Sequence, residues 1–246
     1  MDNTLLVSLS HQLASYRSMD VIANNLANVS TPAFKREAVQ FQEYVSQLPK
    51  AEGETAGQRV SFVQDRGVVR DLGEGKFETT NAPFDVAISG QGYFVVSTPN
   101  GDRYTRNGHF SLDADGKLIT EDGNTVQGDG GEINIQPDAG AITIAQDGTV
   151  SGAQGQIGKL RLVNFANERQ MKKEGGSLYS TAEAPQAADT STRLTQGMIE
   201  TSNVQPVVEI SHMIEVMRAY QATSNLSQSH EDLMRRAIDR LGATPN

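Results

Sequence analysis

The side chains able to do acid–base or metal chemistry are few and poorly spaced for it. The 246-residue sequence carries four histidines: His11, His109, His212 and His230. None begins a two-histidine helical zinc motif, because His230-Glu231 is followed at the required position by Met234. His11, His212 and His230 read as helix-surface or interface residues. Asp113-Ala114-Asp115-Gly116 starts like a calcium loop but lacks the further oxygen ligand and the distal glutamate such a loop needs. It reads as a turn between strands. Gly73-Glu74-Gly75 and Gly90-Gln91-Gly92 continue to Glu78 and Val95, where a dinucleotide loop would place a third glycine. There is no Gly-Lys-Ser/Thr phosphate cradle and no Gly-x-Ser-x-Gly nucleophile elbow. Thirty acidic residues could supply a carboxylate pair for glycoside hydrolysis. Aromatic residues are only 6%, however, and tryptophan is absent, so platforms for sugar rings are scarce. The expectation is no catalytic residue, no cofactor-binding site and no metal site, and hence not an enzyme.

Composition removes further classes. Without cysteine there are no disulfides, thiolate nucleophiles or cysteine-ligated metals. A formal charge of −9 suits neither nucleic acid nor an anionic membrane, whose binding rests on lysine and arginine. No run approaches the roughly 18 apolar residues of a membrane span. Leu5-Leu6-Val7 is interrupted by Ser8 and Ser10, and nothing basic precedes Arg17, so no secretory signal peptide is expected.

The elements follow from glycine usage and periodicity. Residues 1–30 contain no glycine, residues 57–176 are dense in it, and residues 198–241 again contain none. At the start, Leu5, Leu9, Tyr16, Met19, Ala23 and Leu26 fall on one helical stripe, beside Leu6, Leu13, Ile22 and Val29. Ser30-Thr31-Pro32 should end that helix. Near the end, Pro206 suits a first helical turn, and the helix should run to Leu241. Ile210, Met217, Ser224, Glu231 and Ile238 form one heptad series, and Met213, Tyr220, Ser227, Met234 and Leu241 form its partner. Ala219, Ala222, Leu226, Leu233 and Ala237 mark another face, which suggests more than one helical neighbour.

Between the helices the sequence predicts strands at Val60–Val63, Phe84–Ile88, Tyr93–Val96, His109–Leu112, Lys117–Thr120, Ile133–Ile135, Ile142–Ile144 and Lys159–Phe165. Asn100-Gly101, Asp115-Gly116, Asp122-Gly123 and Asp147-Gly148 supply tight turns. Residues 42–58 and 181–195 read as connectors. The predicted class is α+β: N- and C-terminal helices paired as a coiled-coil-like domain, with an antiparallel all-β domain inserted between them. The expected parts are an N-terminal helix (1–35), a connector with strands (36–80), a β-rich body (81–180), a return connector (181–197) and a C-terminal helix (198–246). A β body closed on itself cannot bury either helix stripe, so the two ends should pack on each other and on further copies.

Three stretches carry a family resemblance. The first is Asp20-Val21-Ile22-Ala23-Asn24-Asn25-Leu26-Ala27-Asn28-Val29-Ser30-Thr31-Pro32-Ala33-Phe34-Lys35-Arg36. The second runs from Asn81-Ala82-Pro83-Phe84-Asp85-Val86 through Gly90-Gln91-Gly92-Tyr93-Phe94 to Tyr104-Thr105-Arg106-Asn107-Gly108-His109-Phe110. The third is Gly197-Met198-Ile199-Glu200-Thr201-Ser202-Asn203-Val204, leading to Met217-Arg218-Ala219-Tyr220-Gln221. Together they resemble, in order and separation, the signatures of the flagellar rod and hook proteins. The matching motif positions are Asn24, Asn25, Asn28, Thr31, Pro32, Phe34, Lys35, Asn203, Val204, Arg218 and Tyr220. The chain is similar to the middle-sized rod members, and to the proximal-rod type more than the distal-rod type.

The resemblance implies a structural subunit of the flagellar basal body, carried by the flagellar export apparatus without a cleaved signal. Such a subunit polymerises in the periplasm into a hollow, torque-transmitting shaft. Its partners would be copies of itself and other rod subunits. Subunit contacts are then expected at Leu5, Leu9, Leu13, Tyr16, Met19, Ile22 and Leu26, and at Ile210, Met213, Met217, Tyr220, Leu226, Met234 and Ile238. Outside the family, the alternative is a secreted β-rich adhesin or glycan-active protein.

Overall fold

The computed structural model describes residues 2–47, 59–189 and 191–242. It divides into two compact units. One is drawn from the N-terminal segment through Ala27, from Glu37–Asp71, and from the C-terminal segment beginning at Gln205. The other comprises Asn28–Arg36 and Leu72–Val204.

The first unit contains helix α1 (Asp2–Ala27), an antiparallel hairpin of β1 (Glu37–Gln47) and β2 (Arg59–Arg70), and helix α2 (Pro206–Gly242). The helix α1 packs on α2 and on both hairpin strands. Pro206 opens α2, where its missing N–H costs nothing, and Glu209 lies in the first turn. With 37 residues, α2 is about 55 Å long. Its less exposed positions, Met213, Val216, Tyr220, Thr223, Ser227, His230 and Met234, repeat at alternating steps of three and four. On α1 the corresponding stripe is Leu5, Ser8, Gln12, Ser15, Met19, Ile22 and Leu26.

Several boundaries differ from the sequence reading. The expected return connector holds paired strands at Gln186–Ala187 and Arg193–Gln196. The expected C-terminal helix of 198–246 opens instead with the strand Met198–Glu200. These residues complete sheet edges of the β unit before Pro206 starts the helix. The first helix stops at Ala27, short of Ser30-Thr31-Pro32. The Thr31 N–H donates to the Asn28 carbonyl at 3.2 Å and its hydroxyl to Asn28 Oδ1 at 3.2 Å, so a turn takes over before the proline is reached. Residues 42–47, expected to be connector, belong to β1; residues 48–58 of that connector lie outside the described residues. The apolar residues of this strand, Ala38, Val39, Phe41, Tyr44 and Val45, do not alternate. Gln40 pairs with Gly67 and Phe41 with Asp65, leaving Arg66 as the extra residue. Phe41, Tyr44 and Val45 are all exposed, so no single covered face imprints alternation on β1.

The second unit is antiparallel. Strand β3 (Phe77–Thr79) pairs with Met198–Glu200, and β4 (Val86–Ser89) with Arg193–Gln196. There follow β5 (Tyr93–Thr98), β6 (Gly101–Thr105), β7 (Phe110–Leu112), β8 (Leu118–Thr120) and β9 (Thr125–Gly128). Strand β5 is central: β6 lies on one edge, and β9 and Leu162–Asn164 on the other. Strand β8 pairs with β9 and with β7.

Alternation along β5 serves two cores. Phe94 and Val96 join Val86, Ile88, Phe110, Leu118, Val126 and Leu160. Tyr93 and Val95 join Tyr104, Val163, Phe165, Met171 and Tyr179. Phe94 meets Phe110 edge-on at 5.0 Å, and Tyr104 meets Phe165 at 4.6 Å. Each such side chain stabilises the body by about 1.5–3 kcal/mol.

The four predicted Asn-Gly and Asp-Gly turns all hold glycine at positive φ. Ile133-Asn134-Ile135 is not a strand; only Asn134 bridges, to Lys117. Ile133 and Ile135 are nonetheless buried. The Ile135 N–H donates to the Gly116 carbonyl at 2.7 Å, and a Cβ on Gly116 would overlap the Ile135 carbonyl. The stretch Lys159–Phe165 is interrupted where buried Leu160 bridges to Gly128. The predicted architecture is the one observed: the helical ends pack together, and an antiparallel β region is inserted between them in the chain.

Candidate functional site

Apolar residues are distributed very unequally between the units. In the first unit, Val21 and Ile22 are the buried hydrophobic residues among those described. Of the 19 large hydrophobics exposed in the described residues, 18 belong to this unit, Phe77 being the exception. On α1, Leu6, Leu9, Leu13 and Tyr16 are 50–61% exposed at steps of three and four. On α2, Val207, Ile210, Ile214 and Met217 repeat the same steps, with Leu226, Leu233 and Ile238 further along. Exposed apolar faces of this extent mark surfaces that meet another molecule.

The expected contact residues divide accordingly. Leu5, Met19, Leu26, Met213, Tyr220 and Met234 are half-buried, and Ile22 is buried. Leu9, Leu13, Tyr16, Ile210, Met217, Leu226 and Ile238 stand exposed. The second heptad series of α2 thus follows its covered stripe as far as Met234, with Leu241 exposed, while the first faces outward except at Ser224. Val207, Leu6 and Ile214 extend the exposed faces but were not among the expected contacts.

Where α1 ends, the motif asparagines have separate roles. Asn25 is wholly buried; its amide donates to the Glu37 carbonyl at 2.7 Å and accepts the Glu37 N–H at 2.9 Å. It therefore pairs with β1 as another strand would. The same amide donates to Glu209 Oε2 at 3.1 Å, and Glu209 is also wholly buried. Asn28 anchors the turn at Thr31, and Asn24 is exposed. Glu209 was missed although a signal was present: it precedes Met213 by one turn on the covered stripe, where a carboxylate needs a partner.

A second buried centre lies within the β unit. Lys35 Nζ donates to Glu200 Oε1 at 2.6 Å and to the Gly73 carbonyl at 2.8 Å. Arg106 Nε donates to Glu200 Oε2 at 3.0 Å. Its terminal nitrogens reach the Gly90, Gly92 and Ile88 carbonyls at 3.0, 3.1 and 3.3 Å. The Gly75 N–H adds a further donor to Glu200 at 2.8 Å. The three side chains are 0–6% exposed. Burial pushes the Glu200 carboxyl up, but Arg106 and then Lys35 outweigh it and hold the pKa below its ordinary value. Burial lowers the Lys35 ammonium, with Glu200 opposing.

Each member of this cluster comes from a different signature stretch. Around it, Asn203 Oδ1 accepts the Arg36 N–H at 2.6 Å, its Nδ2 donates to Gly73, and its own N–H donates to Phe34. Phe34 is buried beneath the Lys173 ammonium, 4.0 Å from its ring centre, and Val204 is buried. Pro32 is half-buried and Arg218 exposed. Glu200 and Arg106 lay inside the quoted stretches without an assigned role; a lone charge beside strand-forming Met198-Ile199 is the sequence signal.

Elsewhere His109 Nδ1 lies 2.7 Å from Asp85 Oδ1, and Asp85 Oδ2 accepts the Thr80 hydroxyl at 2.5 Å. Among the described residues no group of three or more acidic or histidine side chains is gathered for a metal, and no helix is long and apolar enough to cross a membrane.

Three family models match the sequence: "Flagella basal body rod protein" over residues 8–35, "Flagellar hook protein FlgE/F/G D1 domain" over 87–152, and "Flagellar basal body rod FlgEFG protein C-terminal" over 195–240. The flagellar basal-body rod protein FlgF of Caulobacter vibrioides is 39% identical over 245 residues, covering 98% of this chain and 99% of the relative. The FlgF of Mesorhizobium japonicum is 32% identical, covering 99% of each. The rod protein FlgG of Buchnera aphidicola from Acyrthosiphon pisum is 34% identical, covering 97% and 99%.

Proposed function

The chain belongs to the FlgE/F/G family of flagellar hook and basal-body rod proteins, and from that membership we propose that it builds the proximal rod as a subunit of the FlgF type. It is a structural rod component of the flagellar basal body. Its helices join copies of itself and other rod subunits into a hollow shaft. The shaft carries motor torque, and stiffness comes from close-packed parallel helices, which transmit strain with little compliance. A head-to-tail interface of this kind grows an open filament. The subunit reaches the periplasm through the flagellar export apparatus without a cleaved signal, and it performs no catalysis.

The observation that supports assembly through the ends is the placement, in the helix-and-hairpin unit, of 18 of the 19 large hydrophobics exposed among the described residues. The test is a cell whose own copy is replaced by Leu9→Glu with Leu13→Glu, or by a chain lacking residues 205–246. Basal bodies should stop before the rod is complete and swimming should be lost, while the purified double variant keeps its β circular-dichroism signal. Normal rods and swimming in the double variant would overturn the reading.

A further inference from the structure

Four consecutive residues of the segment after α1 each meet the return segment near residue 200. The Ala33 N–H donates to the Glu200 carbonyl at 2.8 Å, and the Phe34 carbonyl accepts the Asn203 N–H at 3.2 Å. Lys35 Nζ holds the Glu200 carboxylate, and the Arg36 N–H holds Asn203 Oδ1. Glu200 also takes up Arg106 and the Gly75 N–H. The Thr201 N–H donates to the Lys76 carbonyl at 2.8 Å, and a Cβ on Gly75 would overlap the Thr201 carbonyl. The close approach is therefore specific to the seated return segment.

Charge sets an order on these contacts. Lys35 is 3% exposed and Arg106 6%. Burying an ammonium without its carboxylate is strongly unfavourable, so Lys35 has no reason to enter the β unit before Glu200 does. The hairpin of β5 and β6, by contrast, is joined by a two-residue turn and closes from local sequence alone.

We propose that Glu200 is a latch: the segment Asn28–Arg36 docks into the β unit only when the return strand Met198–Glu200 is seated, so the N-terminal linker is fastened last. This goes beyond rod membership and does not depend on how subunits meet. A chain emerging N-terminus first would keep this linker loose until Glu200, about four-fifths of the way along the 246 residues, had emerged.

The test is refolding of the full chain from denaturant with pulsed hydrogen exchange. The amides of Ala33, Arg36 and Gly75 should gain protection in the same phase as Thr201, after the amides of β5 and β6. In Glu200→Gln at equilibrium, Ala33 and Arg36 should exchange at least tenfold faster, while Val96 and Val126 in the core remain protected. Adding Lys35→Met to that variant should recover part of the lost protection, because one uncompensated buried charge is removed. Protection of Ala33 and Arg36 together with β5 and β6, ahead of Thr201, would overturn the latch. So would unchanged exchange of Ala33 and Arg36 in Glu200→Gln. If Glu200→Gln fails to fold, the refolding order in the unmodified chain decides alone.

Discussion

Asn25 and Glu209, 184 residues apart in sequence, share a hydrogen bond of 3.1 Å with both side chains fully excluded from solvent. Each occupies a covered helix stripe where an apolar side chain would be the default. A polar residue in such a seam fixes register at some expense in stability. Here it also ties the end of α1 to the start of β1 through the two Glu37 hydrogen bonds.

Replacing Asn25 by alanine takes this amide away from the Glu37 backbone groups and from the Glu209 carboxylate. The expected loss is about 1–3 kcal/mol in urea unfolding. Asn25→Asp, nearly isosteric, should lose more, because it sets a second carboxylate against Glu209.

The Glu200 cluster gives an acid-dependent stability. Its folded pKa lies below the ordinary 4.5, so its contribution is fully present above that pH and is lost as pH falls through the lowered folded value. Lys35, Arg106 and, at 4.0 Å from Arg106, Glu74 are the charged groups around it. At neutral pH, Glu200→Gln should be less stable than the parent by about 3–5 kcal/mol. That gap should narrow in unfolding titrations as the pH is taken below 4.5.

Exposed and covered helix residues should separate cleanly. Ile214→Glu should change the unfolding free energy of the isolated subunit by less than about 0.5 kcal/mol, yet abolish rod assembly and swimming. Ile22→Ala, at a covered position, should cost about 2–4 kcal/mol in the isolated subunit.

Two glycines test close approach against backbone strain. Gly123 has φ +80° with nothing within 4 Å of an added Cβ, so Gly123→Ala should cost about 1–2 kcal/mol, the strain alone. Gly75→Ala must push Thr201 away and should cost more, with faster amide exchange at Thr201 than in Gly123→Ala.

The elements legible in the sequence were those whose surroundings repeat. The bounds of α2 follow from Pro206 and an unbroken heptad pattern, and β5 from a run of four apolar residues whose two faces each cover a core. What escaped lacks a repeating signature. Strand β1 leaves Phe41, Tyr44 and Val45 exposed, so no single covered face shows in its sequence. The end of α1 is decided by side-chain bonds at Asn25 and Asn28, which compete with a visible but later proline. The partners of Glu200 and Glu209 are set by tertiary placement, and spacing along the chain carries no trace of which cation or amide a buried carboxylate will meet.

Glu209 is the buried side chain of α2 among the described residues, and it sits in the first turn. In a free subunit the long helix is thus moored at its root and lies shallowly on its neighbour elsewhere. Thermal agitation should peel it from the tip inward, so that the far half behaves as a tether able to swing and search. Once flanked on every side within a finished shaft, the same half would lose that liberty. Growth of the shaft would then be an act of stiffening as much as of lengthening.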